Sequence, residues 1–193
     1  MASHKARQTA RIVDATLRVI HAGGLSGVSM SKVAAAAGMT RQTVYNYFPD
    51  VESIVALALD EHSAAMERHL LDVIDHADGL IEKLRAFATL QISHVSPGHT
   101  GFRLEFGLSA QVRARLSAHT DTVKSALEQA IASAIEDGEI EKGIIPSVAS
   151  ELLWGIVEGA MGAALKHPDQ KPYLVEAAVK AMHAAVRSEG EHR

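Results

Sequence analysis

The sequence predicts an all-α protein, with an N-terminal three-helix head followed by a larger helical domain. Three observations carry that expectation. Apolar residues make up 47% of the 193-residue chain but aromatics only 4%. The core must therefore be built mostly from Ala, Leu, Val and Ile, and Ala and Leu lose little on entering a helix. Long stretches repeat their apolar residues at helical rather than alternating spacing. Residues 29–48, SMSKVAAAAGMTRQTVYNYF, read as a short alanine-rich helix, a tight turn and a second short helix.

In chain order, residues 1–8 (MASHKARQ) read as an arm, with Lys5 and Arg7 as candidate contacts to a phosphate or to the minor groove. A helix over 6–22 carries Ile12, Ala15, Val19 and Ile20 on one face and stops at Gly23-Gly24. Ser29 is placed to cap the next helix, which ends at residue 37. Its Val33, Ala34 and Ala37 are small enough for close packing. Gly38 supplies the positive φ of the reversal, and Thr40 caps a helix over 41–48.

Projecting 41–48 at helical spacing brings Val44 and Phe48 together on the inner side. Gln42, Thr43 and Asn46 lie opposite, flanked by Arg41 and Tyr45 on one side and Tyr47 on the other. An ordinary surface helix would interleave Glu and Lys there. This one has no acid and several groups that bond in pairs: Arg suits guanine, Gln and Asn suit adenine, and hydroxyls suit phosphate oxygens. With Lys32 on the exposed side of the preceding helix and Thr40 at the cap, these residues form a candidate surface for double-stranded DNA. Charge agrees. Residues 1–50 carry six Lys/Arg against two acids, and the rest thirteen against twenty-one, a basic head on an acidic body.

Over about residues 7–57 the chain resembles the TetR family of transcriptional regulators. The resemblance runs through Arg11-Ile12-Val13, Gly24, Val28-Ser29-Met30 and the unbroken stretch Val33 to Phe48. It implies that 41–47 is the recognition helix and that Thr43, Tyr45 and Tyr47 hold phosphates or base edges. It also implies a DNA-binding domain over 1–50 and an effector-binding and dimerisation domain over 51–193. Such a protein is expected to be a homodimeric repressor on a palindromic operator, released by a small-molecule effector. One position departs from the pattern. Family members commonly place a phosphate-binding lysine where this chain has Val51, which predicts a salt dependence weaker by about one ion.

The body reads as further helices, over about 51–77, 80–95, 109–117, 119–137, 147–166 and 171–188. Ser96 to Gly101 reads as a loop, followed by a short segment at 102–108. In the family the first of these helices links head to body, so its tilt sets the spacing between two heads. The helix over 147–166 is apolar nearly all round, with a small-residue face of Gly155, Gly159 and Gly162, and the last helix carries Val175, Val179 and Met182. These six are the candidate dimer interface, as the resemblance implies a four-helix bundle of paired copies. Phe87, Gln91, Phe102, Phe106, Trp154 and Glu158 are candidate effector-lining residues, although each taken alone reads more readily as ordinary core. Glu158 is the informative one, because a carboxylate on an apolar helix needs a partner or a way out to water.

Other functions find little support. The nearest approach to a nucleophile elbow, Gly107-Leu108-Ser109-Ala110-Gln111, lacks its closing glycine and preceding strand, and no phosphate-cradling loop or zincin motif is present, so no enzyme is expected. No cofactor is expected beyond the unidentified effector. Cysteine is absent, which fits a reducing cytoplasm. His62, His69 and His76 stand about 10.5 Å apart along one helix and cannot share an ion. A site from His94, His99 and His119 would need loops to bring them together, so no metal is expected. The longest uncharged run contains Pro97 and Gly98 and does not read as a membrane span. The remaining alternatives are a helical dimer that binds a small molecule without specific DNA binding and, below it, a metal-responsive regulator.

Overall fold

The computed structural model describes residues 2–95 and 109–187. These form eight α-helices: α1 (Ala2–Gly23), α2 (Met30–Ala37), α3 (Arg41–Tyr45), α4 (Val51–Asp75), α5 (Gly79–Ser93), α6 (Ala110–Glu136), α7 (Pro146–Lys166) and α8 (Lys171–Val186). Single 3-10 turns lie at Leu25–Gly27 and Pro168–Gln170, and no strand occurs among the described residues.

Three expectations change. The N-terminal segment holding Lys5 and Arg7 is no arm, because α1 is helical from Ala2. No turn separates 117 from 119: α6 is one continuous helix of 27 residues. Neither Gly nor Pro lies in its sequence, so nothing local would break it. The helix after Gly38 is shorter than expected, ending at Tyr45, with Asn46 and Tyr47 in a turn. There Tyr47 N and Phe48 N both donate to the Val44 carbonyl, tightening the last turn. The loop at 96–101 and the segment at 102–108, with Phe102 and Phe106, lie outside the described residues.

The chain divides into two compact units. The first takes Met1–Ala65 and Ser96–His119. Its main core gathers Ile12 and Val13 from α1, Met30, Val33 and Ala34 from α2, Val44 and Phe48 around α3, and Ile54 and Ala58 from α4. Thr16 is fully buried there, and its hydroxyl donates to the Ile12 carbonyl one turn back, which removes the cost of burying it. A second cluster of Ile20, Leu25, Val55, Leu59 and Val112 joins α1, α4 and the start of α6.

The second unit takes Met66–Val95 and Thr120–Arg193. Within it α5 packs on α8 and α7, and α7 packs on α8. The core between them includes Leu84, Phe87, Leu127, Ile131, Leu153, Val157, Val179 and Met182. Two side chains close the ends of α5. Glu139 accepts from the Leu80 amide at 2.7 Å, satisfying an orphan donor at the N-terminus. Lys171 Nζ donates to the carbonyls of Ser93 and Val95 beyond the other end. Among the described residues α7 is long and apolar enough, by length and composition, to cross a membrane. It is packed on two other helices and shows Glu151 and Glu158 to the outside.

Candidate nucleic-acid interface

Local chemistry builds the head. The Ser29 hydroxyl accepts from the Lys32 amide at 3.3 Å and starts α2. Gly38 ends it at φ 63°, and its amide bonds back to Ala35 while Met39 bonds to Ala34. A Cβ at Gly38 would stand 3.0 Å from Arg11 Nη2, the far end of an exposed side chain that can shift, so the positive φ is what favours glycine. Two residues later the Thr40 hydroxyl accepts from the Thr43 amide at 3.1 Å and bonds the Thr43 hydroxyl at 2.8 Å. The cap therefore starts α3 and orients a second hydroxyl.

α3 is anchored by Val44, fully buried, and by Phe48 just past its end. With these two facing inward, the opposite surface must face out. Arg41, Gln42, Tyr45 and Asn46 are exposed, while Thr43 and Tyr47 are half-buried. Tyr45 is a large ring left 42% exposed, and the Arg41 guanidinium lies 6.0 Å from its centroid, at the outer reach of a cation–π contact. Gln42 Nε2 donates to Asn46 Oδ1 at 3.5 Å, the length of a bond easily exchanged for one to a base. Lys32 is exposed on α2, its ammonium resting on the Gly27 carbonyl at 2.8 Å. All eight residues expected at the interface lie on α2, α3 and the turns bounding α3.

The acids nearby are engaged. Asp14 pairs with Arg18, whose guanidinium also donates to the Ala36 carbonyl. Asp50 accepts from the Ser53 amide at 2.7 Å, and that bond holds its carboxyl below the usual range as it caps α4. Val51 is half-buried, packed against both apolar clusters of this unit, so its place is taken up by packing. Lys5 and Arg7 are exposed on the first turns of α1.

The body residues are distributed differently from their expected roles. Phe87 is fully buried and meets Trp154 edge to face, centroids 6.5 Å apart, with Gln91 half-buried one turn along α5. Glu158 is exposed, so the carboxylate reaches water and does not line this aromatic pair from within the core. Val175, Val179 and Met182 lie inside the core of the second unit and are no surface for a partner, because their face of α8 meets α5 and α7. The exposed apolar positions are others. On α7 and its lead-in they are Ile145, Val148 and Leu152, the last two 55% and 60% exposed, and on α8 Tyr173. Gly155, Gly159 and Gly162 continue the α7 stripe, and a Cβ on any of them would meet nothing within 4 Å. The near-uniform apolarity of α7 concealed which side was free. Among the described residues no group of three His, Asp or Glu is arranged to hold a metal ion.

A capped helix of five residues, anchored by two apolar side chains and carrying acid-free polar groups outward, defines a helix-turn-helix DNA-binding head. Residues 12–58 match the family described as bacterial regulatory proteins, tetR family. The chain is 24% identical over 186 residues to the HTH-type transcriptional regulator SrpR of Pseudomonas putida, covering 92% of this chain and 84% of that one. It is 26% identical over 170 residues to the fatty acid metabolism regulator protein of Bacillus subtilis, covering 86% and 87%. Its fold is that of the FadR regulator of Bacillus subtilis, solved in complex with stearoyl-CoA (TM-score 0.73, 23% identity, 95% of this chain and 99% of that one). The reduced form of Escherichia coli NemR is also similar (TM-score 0.81, 17% identity, 95% and 100%). Residues 12–58 are thus a DNA-binding head of the tetR-family kind, and the chain as a whole shares its fold with regulators of that kind.

Proposed function

We propose that the protein is a homodimeric repressor that reads a palindromic operator through α3 and is released when a small molecule occupies the second unit. The observation that carries the DNA-reading part is the outer face of α3. Arg41, Gln42, Tyr45 and Asn46 are exposed together, with no acid among them and with Val44 fixing the rotation of the helix. Thr40, Thr43, Tyr47 and Lys32 then serve the phosphates.

The second copy is supported by α7. Val148 and Leu152 are apolar and more than half exposed, and Gly155 and Gly159 beyond them leave room for a close helix partner. Two-fold pairing along this stripe gives the dimer two heads, and the operator inherits that symmetry. The effector acts through α4, a single helix over Val51–Asp75 whose tilt resets the spacing of the heads. Phe87, Trp154 and Gln91 are the described residues proposed to line its site, and the ring contact of the first two supports that choice. Long-chain acyl-CoA is the first effector class to test, because one structural relative holds stearoyl-CoA. The protein works in the cytoplasm.

The test is a gel shift with the DNA upstream of the chain's own coding region at two salt concentrations, with and without acyl-CoA. Specific binding at low salt, relieved by the thioester, is the expected result; no duplex bound above the non-specific level would end the reading. A second reading, a ligand-binding helical dimer without specific DNA binding, draws on Val51, which packs where relatives commonly carry a lysine. It predicts a dimer that shifts no duplex at any salt concentration.

A further inference from the structure

A charged stripe on α1 reaches across to the end of α2. Arg11, Asp14 and Arg18 follow one another at helical spacing, and all three are exposed. Asp14 and Arg18 pair along the helix. The other arm of the Arg18 guanidinium, Nη2, donates to the Ala36 carbonyl at 3.1 Å. Ala36 stands in the last turn of α2, where carbonyls outnumber the helical amides left to meet them. The amides of Gly38 and Met39 bond back to Ala35 and Ala34, and the Ala36 carbonyl is met from α1 instead. Two turns earlier, Arg11 Nη2 lies close beside Gly38, so α1 borders the turn itself as well.

We infer that Asp14 and Arg18 form a clamp on the end of α2 that sets the direction in which α3 leaves the turn. Arg18 is then a positioning residue for the DNA-reading face, an inference that rests on the DNA-reading function proposed above. Apart from Met30, the buried side of α2 is Val33, Ala34 and Ala37. Such shallow side chains hold two helices close but do little to stop one sliding or turning on the other. A hydrogen bond to a single carbonyl is directional and does stop it. Arginine suits the task, since its planar fork meets a carboxylate with one arm and a carbonyl with the other. Its charge also lies at the negative end of the α2 dipole. Four residues beyond Ala36 the Thr40 cap starts α3, so a displacement at Ala36 passes directly to Arg41, Gln42, Tyr45 and Asn46. An exposed ion pair adds little to overall stability, so the clamp is read in DNA specificity and not in melting.

The double variant Asp14→Asn/Arg18→Gln removes the clamp and leaves the net charge of the head unchanged. Gel shifts compare it with the parent on the DNA upstream of the chain's own coding region and on an unrelated duplex of equal length. Specific affinity is expected to fall about tenfold, as for one lost directional contact, while non-specific affinity, its salt slope and the melting temperature stay as they are. A specific affinity within about twofold of the parent, or an equal fall on both duplexes, would overturn the clamp. Hydrogen exchange of the free protein separates that outcome from a failure of the DNA-reading function. If the parent itself binds neither duplex specifically, that function falls, and the clamp is decided by the amides of Gly38, Met39 and Thr43. Faster exchange there in the double variant upholds it, and unchanged exchange overturns it.

Discussion

Two of the exposed helix faces of this protein differ in kind. The outer face of α3 is polar and acid-free, with Arg41, Gln42, Tyr45 and Asn46 turned outward. The outer side of α7 carries an apolar, nearly smooth stripe of Val148, Leu152, Gly155 and Gly159, flanked by the exposed Glu151 and Glu158. The first offers directional donors and acceptors, so what it fits must present a fixed pattern of bonds. The second offers area and shape, so what it fits must be dry and close. In the function proposed above, a base edge would satisfy the one and a copy of the same stripe the other. The contrast teaches that exposure alone says little; the chemistry of what is exposed names the partner.

The largest effect is expected at α7. Leu152→Asp should place an unpaired carboxylate at the centre of the proposed dimer, at a cost of several kcal/mol. Light scattering after size exclusion should then show a monomer, with dimer affinity reduced by about 100-fold or more. A dimer of undiminished mass would show that the stripe faces something else. Val44→Ala tests what fixes the polar face. Losing two methyl groups from a fully buried site should cost about 2 kcal/mol of head stability, read by denaturant unfolding.

Gln42→Ala and Tyr45→Ala probe the polar face itself. Each should weaken specific DNA binding by about 1–3 kcal/mol while leaving dimer mass unchanged. Loss of the dimer instead would mean that the two faces are not separable. The smallest effect is expected at Val51→Lys, which should steepen the salt dependence of DNA binding by about one ion. Its measurement is the slope of log affinity against log salt. A slope that does not move would mean that position 51 points away from the phosphates.

Much of the head was legible because its signals are local. Ser29, Gly38 and Thr40 act on amides and carbonyls within a few residues, so their sequence positions alone imply the caps and the turn that the structure contains. Helical projection of 41–48 placed Val44 and Phe48 inward for the same reason. The body was less legible. In α7 nearly every position is apolar, so the period that separates inside from outside is absent. Val175, Val179 and Met182 were readable as apolar, but their burial against α5 and α7 depends on helices distant in sequence. In α4 the helical spacing set by Ile54 and Ala58 runs on to Glu61 and Ala65. Both are exposed, and the half-buried neighbours are His62 and Met66.

By itself, then, the chain determined the helical class, the head's caps and turn, and the polar character of α3, since each follows from spacing and hydrogen bonding along one stretch. Tertiary structure alone decided which side of α7 remains free, where Glu158 meets water, and that Arg18 on α1 meets the Ala36 carbonyl of α2. Those depend on which helices meet. A helix of mixed Ala, Gly, Leu and Val can turn any of its faces inward at little difference in local energy, and only packing against its neighbours selects one.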